Sequence, residues 1–218
     1  VFKMCSILGI LNIKSDAMAL RKQAIKLSKQ QRHRGPDWSG TYANDKAILV
    51  HERLSIVDVE SGAQPLYSAD RTKILAVNGE IYNHKELEAE LTKDFTFQTH
   101  SDCEVILALY NERTDDTDVA FLNKIKGMFA FILYDEQSDS YLIARDPIGI
   151  IPLYTGFDAH GNFYVASEMK ALTPVCESVQ IFPPGHYLSS IDGEIKQYYK
   201  QPWRDYENVK ANSADVKA

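Results

Sequence analysis

Cys5 is the residue whose position along the chain most strongly suggests chemistry. It follows Met4 directly and begins the apolar stretch 5–11. If Met4 and the residues before it were removed, Cys5 would carry a nucleophilic sulfur and a free α-amine. An amine with a pKa of about 8 can accept the thiol proton at neutral pH. The alternative interpretation is a small buried cysteine without a chemical role, which is the usual state of an isolated cysteine.

Three other positions carry groups that can bind or polarise a small substrate, and each also has a structural interpretation. Asn78-Gly79 offers a carboxamide and an unhindered backbone N–H to an oxyanion, but the same dipeptide is a frequent hairpin turn. Arg53 matches a carboxylate with two parallel hydrogen bonds, but an arginine beside Glu52 commonly forms a solvated surface pair. Asp102 is an acceptor for cationic groups, or an acidic residue that the dipole at a helix N-terminus favours.

The elements that position these residues are predicted from apolar periodicity and from the residues that interrupt it. Ser15-Asp16 is expected to cap a helix that runs to about Arg32, and Asn78-Gly79 is expected to form a turn. Shorter helices are predicted at 84–91 and 102–112, and strands at 5–11, 47–51, 54–57, 74–77, 129–134, 140–145, 162–166, 186–190 and 194–199. Strands in both halves with few helices between them favour an α+β fold, with sheet packed on sheet and helices outside.

Composition and charge exclude several classes of protein. The chain has 218 residues, 44% of them hydrophobic and 25% charged, which is typical of a globular domain. A net charge of −6 gives no reason to expect nucleic acid or a membrane as a partner, and no apolar run is long enough to span a bilayer. Three distant cysteines and six histidines without paired ligand spacing predict neither a disulfide framework nor a metal site. We therefore expect a cytoplasmic protein, with Cys103 and Cys176 as inert thiols.

Seven short strings stand in a specific order and spacing. They are Cys5-Ser6-Ile7-Leu8-Gly9, Arg34-Gly35-Pro36-Asp37, Glu52-Arg53-Leu54-Ser55-Ile56-Val57-Asp58, Asn78-Gly79-Glu80-Ile81-Tyr82-Asn83, Ser101-Asp102-Cys103-Glu104, Gly127-Met128-Phe129-Ala130-Phe131 and Ala166-Ser167-Glu168-Met169-Lys170-Ala171-Leu172. Together they resemble the N-terminal glutaminase domain of glutamine-dependent asparagine synthetases, closest to the bacterial B type. That domain is a class II amidotransferase and an N-terminal nucleophile hydrolase. The resemblance implies a four-layer αββα sandwich of two mainly antiparallel sheets with outer helices.

The resemblance also implies a reaction. Cys5 would attack the carboxamide of L-glutamine, release ammonia and form a thioester that water hydrolyses to glutamate. The α-amine of Cys5 would be the base and then the proton donor to the leaving ammonia. Asn78 and Gly79 would form the oxyanion hole. Arg34 and Asp37 match a motif that would order the site.

The residues implied for glutamine binding surround these catalytic groups. Arg53 would hold the α-carboxylate, Asp102 the α-ammonium group, and Glu80 would be a second acceptor for substrate N–H groups. The pocket wall would include the backbone of Leu54, Ile56 and Val57, although the side chains of Ile56 and Val57 also fit a plain strand core. No metal is expected in the site.

The resemblance covers residues 5–203 as the glutaminase domain and makes 204–218 a linker toward an ATP-dependent synthetase domain that the chain lacks. ATP and Mg²⁺ would belong to that domain, so no cofactor is expected here. Residues 1–4 are expected to be absent from the mature protein, and a homodimer is compatible with the resemblance. Three alternatives stay open: an amidotransferase of amino-sugar or purine synthesis, a synthetase-like relative with another carboxylate acceptor, and a non-catalytic domain that binds a partner.

Overall fold

The computed structural model describes residues 4–54, 64–115, 117 and 119–201, which contain two six-stranded antiparallel sheets. From edge to edge, the first sheet consists of β10 (Ser178–Ile181), β8 (Tyr154–Phe157), β9 (Phe163–Ala166), β1 (Ser6–Leu11), β3 (Ile48–Arg53) and β2 (Trp38–Ala43). The second consists of β12 (Ile195–Gln197), β11 (His186–Ser189), β7 (Ser140–Arg145), β6 (Gly127–Asp135), β5 (Lys73–Ile81) and β4 (Leu66–Tyr67). The helices are α1 (Ala17–Lys29), α2 (His84–Ala89) and α3 (Val105–Glu112), with short 3₁₀ helices at Asp102–Glu104, Ala120–Lys124 and Met169–Ala171.

The two sheets pack face to face and helices cover their outer faces, so the predicted αββα sandwich is confirmed. Along β1, Ile7 belongs to the apolar layer between the sheets, whereas Leu8 and Ile10 pack with α1. β5 alternates in the same way, with Ala76 between the sheets and Val77 in the layer that includes α2 and α3. The central strands are buried on both faces, which explains why their sequences are continuous apolar runs.

α1 begins where the sequence predicts and ends earlier. Asp16 is its N-cap and accepts a hydrogen bond from the Met18 N–H. Leu20, Ala24 and Leu27 form the buried stripe that packs on the first sheet. The helix ends at Lys29 and the chain continues in turns through residues 30–34.

The predicted turn at Asn78-Gly79 is wrong, because both residues lie inside β5. They pair with Ala130 and Phe129 of β6, and the strand continues beyond them. The glycine serves a close approach of two backbones rather than a turn. A Cβ at position 79 would lie 2.1 Å from the carbonyl oxygen of Met128, a distance that no real side chain tolerates.

Four strands are missing from the sequence-based prediction: β2, β4, β8 and β10. β2 and β10 are sheet edges with largely exposed residues, and β4 has two residues, so apolar runs do not mark them. Residues 55–57 of one predicted strand and the terminal segments 1–3 and 202–218 lie outside the described residues. The domain limits 5–203 therefore stay a prediction. Within the described ranges, no helix is long and apolar enough to cross a membrane.

Candidate active site

The pairing of β1 with β3 brings Cys5 against the end of β3. Ser6 lies opposite Glu52, so Cys5, directly before β1, reaches Arg53 and Leu54. The Leu54 N–H donates to the Cys5 sulfur at 3.3 Å, and the Cys5 thiol lies 3.6 Å from the Leu54 carbonyl oxygen. The backbone of one residue therefore holds the sulfur at the end of a central strand.

The surroundings of Cys5 favour the thiol over the thiolate. Burial raises the pKa of the Cys5 thiol above its ordinary value, and the Leu54 N–H and the charges of Arg53 and Arg34 offset this in part. A nucleophilic thiolate at this position therefore needs a base that takes its proton. A free α-amine on the same residue would be within reach of the sulfur.

One edge of β5 faces the site, beyond the short pairing with β4. In an antiparallel strand, the N–H and C=O groups of alternate residues point to the same edge. At this edge the Gly79 carbonyl accepts from the Cys103 thiol at 3.5 Å, and the Ile81 N–H donates to Asp102 Oδ2 at 2.6 Å. The alternation directs the Gly79 N–H toward the same edge.

Asn78 presents a buried amide to the space between the sheets. Its side chain lies on the strand face of Ala76, which belongs to the same apolar layer as Ile7 of β1. Asn78 is 1% exposed, and its Nδ2 has no hydrogen-bond partner among the described residues. Because buried amide donors are normally satisfied, this donor is a candidate group for binding a substrate oxygen.

Cys103 connects the β1 side of the site with the β5 side. Its sulfur lies 3.8 Å from Asp102 Oδ2. Burial raises the pKa of the Cys103 thiol well above its ordinary value, and Asp102, Cys5 and Glu80 raise it further. The Gly79 carbonyl oxygen and Asp102 therefore both lie next to the Cys103 sulfur, at the end of a strand that packs against β1.

The segment 34–37 lies across the ends of β1 and β3. Arg34 Nε donates to the Cys5 carbonyl oxygen at 3.2 Å, and Arg34 Nη1 donates to Glu168 Oε1 at 3.3 Å. The Asp37 N–H donates to the Arg53 carbonyl oxygen at 3.0 Å. Arg34 thereby contacts the backbone of the cysteine, and Asp37 contacts the backbone at the end of β3.

Two residues next to the site have no predicted role in the sequence analysis. Glu168 accepts from Arg34 and also lies 3.1 Å from His33 and 2.9 Å from Lys170. His51 is fully buried on β3, and its Nε2 lies 3.0 Å from the Val77 carbonyl oxygen of the opposite sheet. The sequence feature that could identify His51 is an imidazole inside an apolar strand. No sequence feature indicates the contact between Glu168 and Arg34.

The burial of His51 makes the stability of the fold depend on pH. Burial lowers the pKa of His51 to about 4, and Arg53 acts in the same direction. The unfolded chain takes up a proton at this residue below about pH 6.5 and the folded chain does not, so stability is lost as the pH falls from 6.5 to 4. We expect the free energy of unfolding in urea to fall by roughly 2–3 kcal/mol more between about pH 7.5 and about pH 4.5 in the parent chain than in His51→Gln. Equal losses would contradict the buried neutral state of His51.

Cys5, Arg34, Asp37, Arg53 and Leu54 meet at the ends of β1 and β3. Asn78, Gly79 and Glu80 lie toward the end of β5, with Asp102 bound to its last residue, and β5 packs against β1 and β3. Ile56 and Val57 lie outside the described residues. In the described part of the chain, no group of three or more histidine, cysteine, aspartate or glutamate residues is arranged to hold a metal ion.

Comparison with known proteins gives relatives for nearly the whole chain. Residues 4–182 match the glutamine amidotransferase domain family. The chain is 61% identical over 212 residues to asparagine synthetase B [glutamine-hydrolyzing] of Escherichia coli (strain K12), covering 97% of this chain and 38% of that protein. It is 52% identical over 202 residues to a probable asparagine synthetase [glutamine-hydrolyzing] of Dictyostelium discoideum, covering 92% of this chain and 36% of that protein. The chain thus spans somewhat more than a third of the length of these relatives.

A solved structure with a similar fold is the glutamine phosphoribosylpyrophosphate amidotransferase from B. subtilis complexed with ADP and GMP. The TM-score is 0.74 over 90% of this chain and 50% of that chain, at 22% sequence identity. At this identity the likeness establishes the shared fold alone.

Proposed function

Because this chain belongs to the glutamine amidotransferase domain family, we propose that it hydrolyses L-glutamine to glutamate and ammonia through a thioester on Cys5. The observation that carries the proposal is the Cys5 sulfur, held by the Leu54 N–H at 3.3 Å, in a fold that packs β1 against β5. β5 carries the buried Asn78 amide, whose Nδ2 has no hydrogen-bond partner among the described residues. A nucleophile and an oxyanion donor are the two groups that amide hydrolysis requires first.

The proposed reaction uses Cys5 as nucleophile and base. Its α-amine, once free, takes the thiol proton while the sulfur attacks the glutamine carboxamide carbon. The resulting oxyanion accepts hydrogen bonds from Asn78 Nδ2 and the Gly79 N–H. The carbon–nitrogen bond then breaks, and the ammonium group returns its proton to the leaving ammonia. Water attacks the thioester, which restores the thiol and releases glutamate.

Substrate binding is assigned to the charged groups around the sulfur. Arg53, buried at the end of β3, is proposed to hold the α-carboxylate, and Asp102 the α-ammonium group. The Asp102 carboxylate is oriented for this by the Ile81 N–H. Glu80 is proposed as a second acceptor, and the backbone of Leu54, Ile56 and Val57 as the pocket wall. Arg34 and Asp37 are proposed to keep the cysteine backbone in place.

The ammonia is proposed to serve a synthetase domain in a longer protein, as in the relatives named asparagine synthetase. In that case the acceptor is aspartate, the product is asparagine, and ATP and Mg²⁺ bind in the second domain. Residues 204–218 would link the two domains. All three cysteines are free thiols, which supports a reducing compartment such as the cytoplasm. A homodimer of the full-length protein is part of the same proposal.

The test of the function is a glutaminase assay on the chain with Cys5 as its first residue. We expect glutamate and ammonia in equal amounts, and a rate at least roughly 10³-fold lower for Cys5→Ala, as for the loss of other enzymic nucleophiles. Cys176→Ala is the matched control and should keep the parent rate, because Cys176 packs in a different part of the core. Equal hydrolysis by the parent chain and Cys5→Ala would overturn the proposal.

Arg53→Lys tests the proposed carboxylate contact. An ammonium group cannot form the two parallel hydrogen bonds of a guanidinium group, so we expect the KM for glutamine to rise about 10-fold or more with a much smaller fall in kcat. Arg21→Lys, on the exposed face of α1, is the control. An unchanged KM in Arg53→Lys would remove Arg53 from this role.

A further inference from the structure

Like Asn78, His51 is a buried polar residue in the largely apolar layer between the two sheets. It lies on β3 opposite Ile7 of β1, and its strand alternation with Leu49 directs the imidazole into the space between the sheets. The side chain is fully buried, and Nε2 lies 3.0 Å from the Val77 carbonyl oxygen of β5. A carbonyl oxygen only accepts, so Nε2 carries the proton and donates it across the two sheets.

This hydrogen bond binds a peptide group of β5 that has no backbone partner in β4. β4 pairs with β5 at Ile74 and Leu75 and goes no further. Val77 is the next residue whose N–H and C=O point to that edge. Its N–H donates to Gln64 Oε1 at 3.1 Å and its carbonyl accepts from His51. Two side chains thus bind the peptide groups that a longer β4 would otherwise have bound.

The Val77 carbonyl that His51 binds belongs to the same peptide group as the Asn78 N–H. Peptide groups are planar, so fixing the Val77 carbonyl fixes the direction in which the Asn78 backbone starts. The buried amide of Asn78 and the N–H of Gly79 follow within two residues. Donors for an oxyanion must keep positions close to their ideal distances, and small displacements cost much of their effect.

We infer that His51 is a positioning residue for the oxyanion hole, and that it acts by holding the Val77–Asn78 peptide through the hydrogen bond from Nε2. The inference rests on the proposed glutaminase function. A purely structural His51 would join the two sheets and affect every property of the site alike. A positioning His51 affects the step in which an oxyanion forms and spares the others.

Two substitutions separate the hydrogen bond from the volume of the side chain. His51→Met removes the donor and keeps a long, adaptable apolar side chain. His51→Gln keeps an N–H donor near the place of Nε2. In the chain beginning at Cys5, we expect His51→Met to lower kcat for glutamine about 10–100-fold with KM within about twofold, in the range of other supporting residues. His51→Gln should recover most of this loss. His186→Phe, which removes a comparable contact between an imidazole and the Pro184 carbonyl, should keep the parent kcat.

The rate at which iodoacetamide alkylates Cys5 separates the two roles of His51. A general structural defect would lower this rate together with kcat, whereas a defect in the oxyanion hole would lower kcat alone. In this reaction the sulfur displaces iodide and no oxyanion forms, so the rate should stay within about threefold of the parent in both His51 variants. Gln64→Leu, which loosens Val77 from its N–H side, should repeat the same pattern. If His51→Met does not fold, the kcat and alkylation rate of Gln64→Leu test the inference in its place.

Three results overturn the inference: alkylation that falls in parallel with kcat, a His51→Gln as slow as His51→Met, or an unchanged kcat in His51→Met or in Gln64→Leu. Failure of the proposed function has a different signature. The parent chain would then be alkylated at Cys5 and folded, but would release no glutamate from glutamine.

Discussion

Asn78→Ala is expected to lower kcat for glutamine hydrolysis by roughly 10²–10³-fold and to leave KM nearly unchanged, as for the loss of a single oxyanion donor in other enzymes. The reason is the position of its Nδ2, which is buried and has no partner in the described residues. A donor that gains its hydrogen bond only when the oxyanion forms stabilises the transition state and not the bound substrate, so its removal lowers kcat.

Asn78→Asp is the sharper companion variant. It keeps the shape of the side chain but replaces the N–H donor with an acceptor, which repels the developing negative charge. It should therefore be at least as slow as Asn78→Ala. Asn111→Ala, on α3, is the control for a change of asparagine elsewhere. A kcat within about threefold of the parent in both Asn78 variants would exclude Asn78 from the oxyanion hole.

The second large effect concerns the residues ahead of Cys5. A chain that retains residues 1–4 is expected to hydrolyse glutamine about 10²–10⁴-fold more slowly than one that begins at Cys5, which is the usual contribution of a general base. An acylated nitrogen has no basic lone pair. Burial raises the pKa of the Cys5 thiol, so the sulfur stays protonated when this base is missing.

The comparison requires two preparations whose first residues are verified by intact mass. The rate of the chain that begins at Cys5 should fall at low pH as the α-amine is protonated. The extended chain should lack this titration. Equal rates in the two preparations would show that another group takes the thiol proton, and the α-amine would lose its proposed role.

Much of the fold could be predicted from the sequence because its central strands are long and apolar. The strand at 5–11 and the segments 129–134 and 140–145 correspond to β1, β6 and β7. The Asp16 cap identified α1 through a local hydrogen bond. Edge strands such as β2 and β10 are not predictable in this way, because their largely exposed residues form no apolar run.

The site was harder to predict, since its contacts join distant parts of the chain. Local preference predicts a turn at Asn78-Gly79, but the environment of this dipeptide is set by β6, which places the Met128 carbonyl against Gly79. The contact of Arg34 with Glu168 spans 134 positions, and that of His51 with Val77 spans 26. The first pair follows from the strand order within one sheet and the second from the packing of the two sheets, and no local pattern encodes either.

In the proposed reaction, the sulfur of Cys5 attacks the carboxamide carbon of glutamine and forms a thioester. The most direct measurement is intact mass spectrometry of the chain beginning at Cys5, quenched in acid during turnover of glutamine. We expect a species heavier by one γ-glutamyl group, located on Cys5 by peptide mapping and absent from Cys5→Ala. Glutamate formation at an undiminished rate in Cys5→Ala, with no adduct on Cys5 at any quench time in the parent chain, would contradict it.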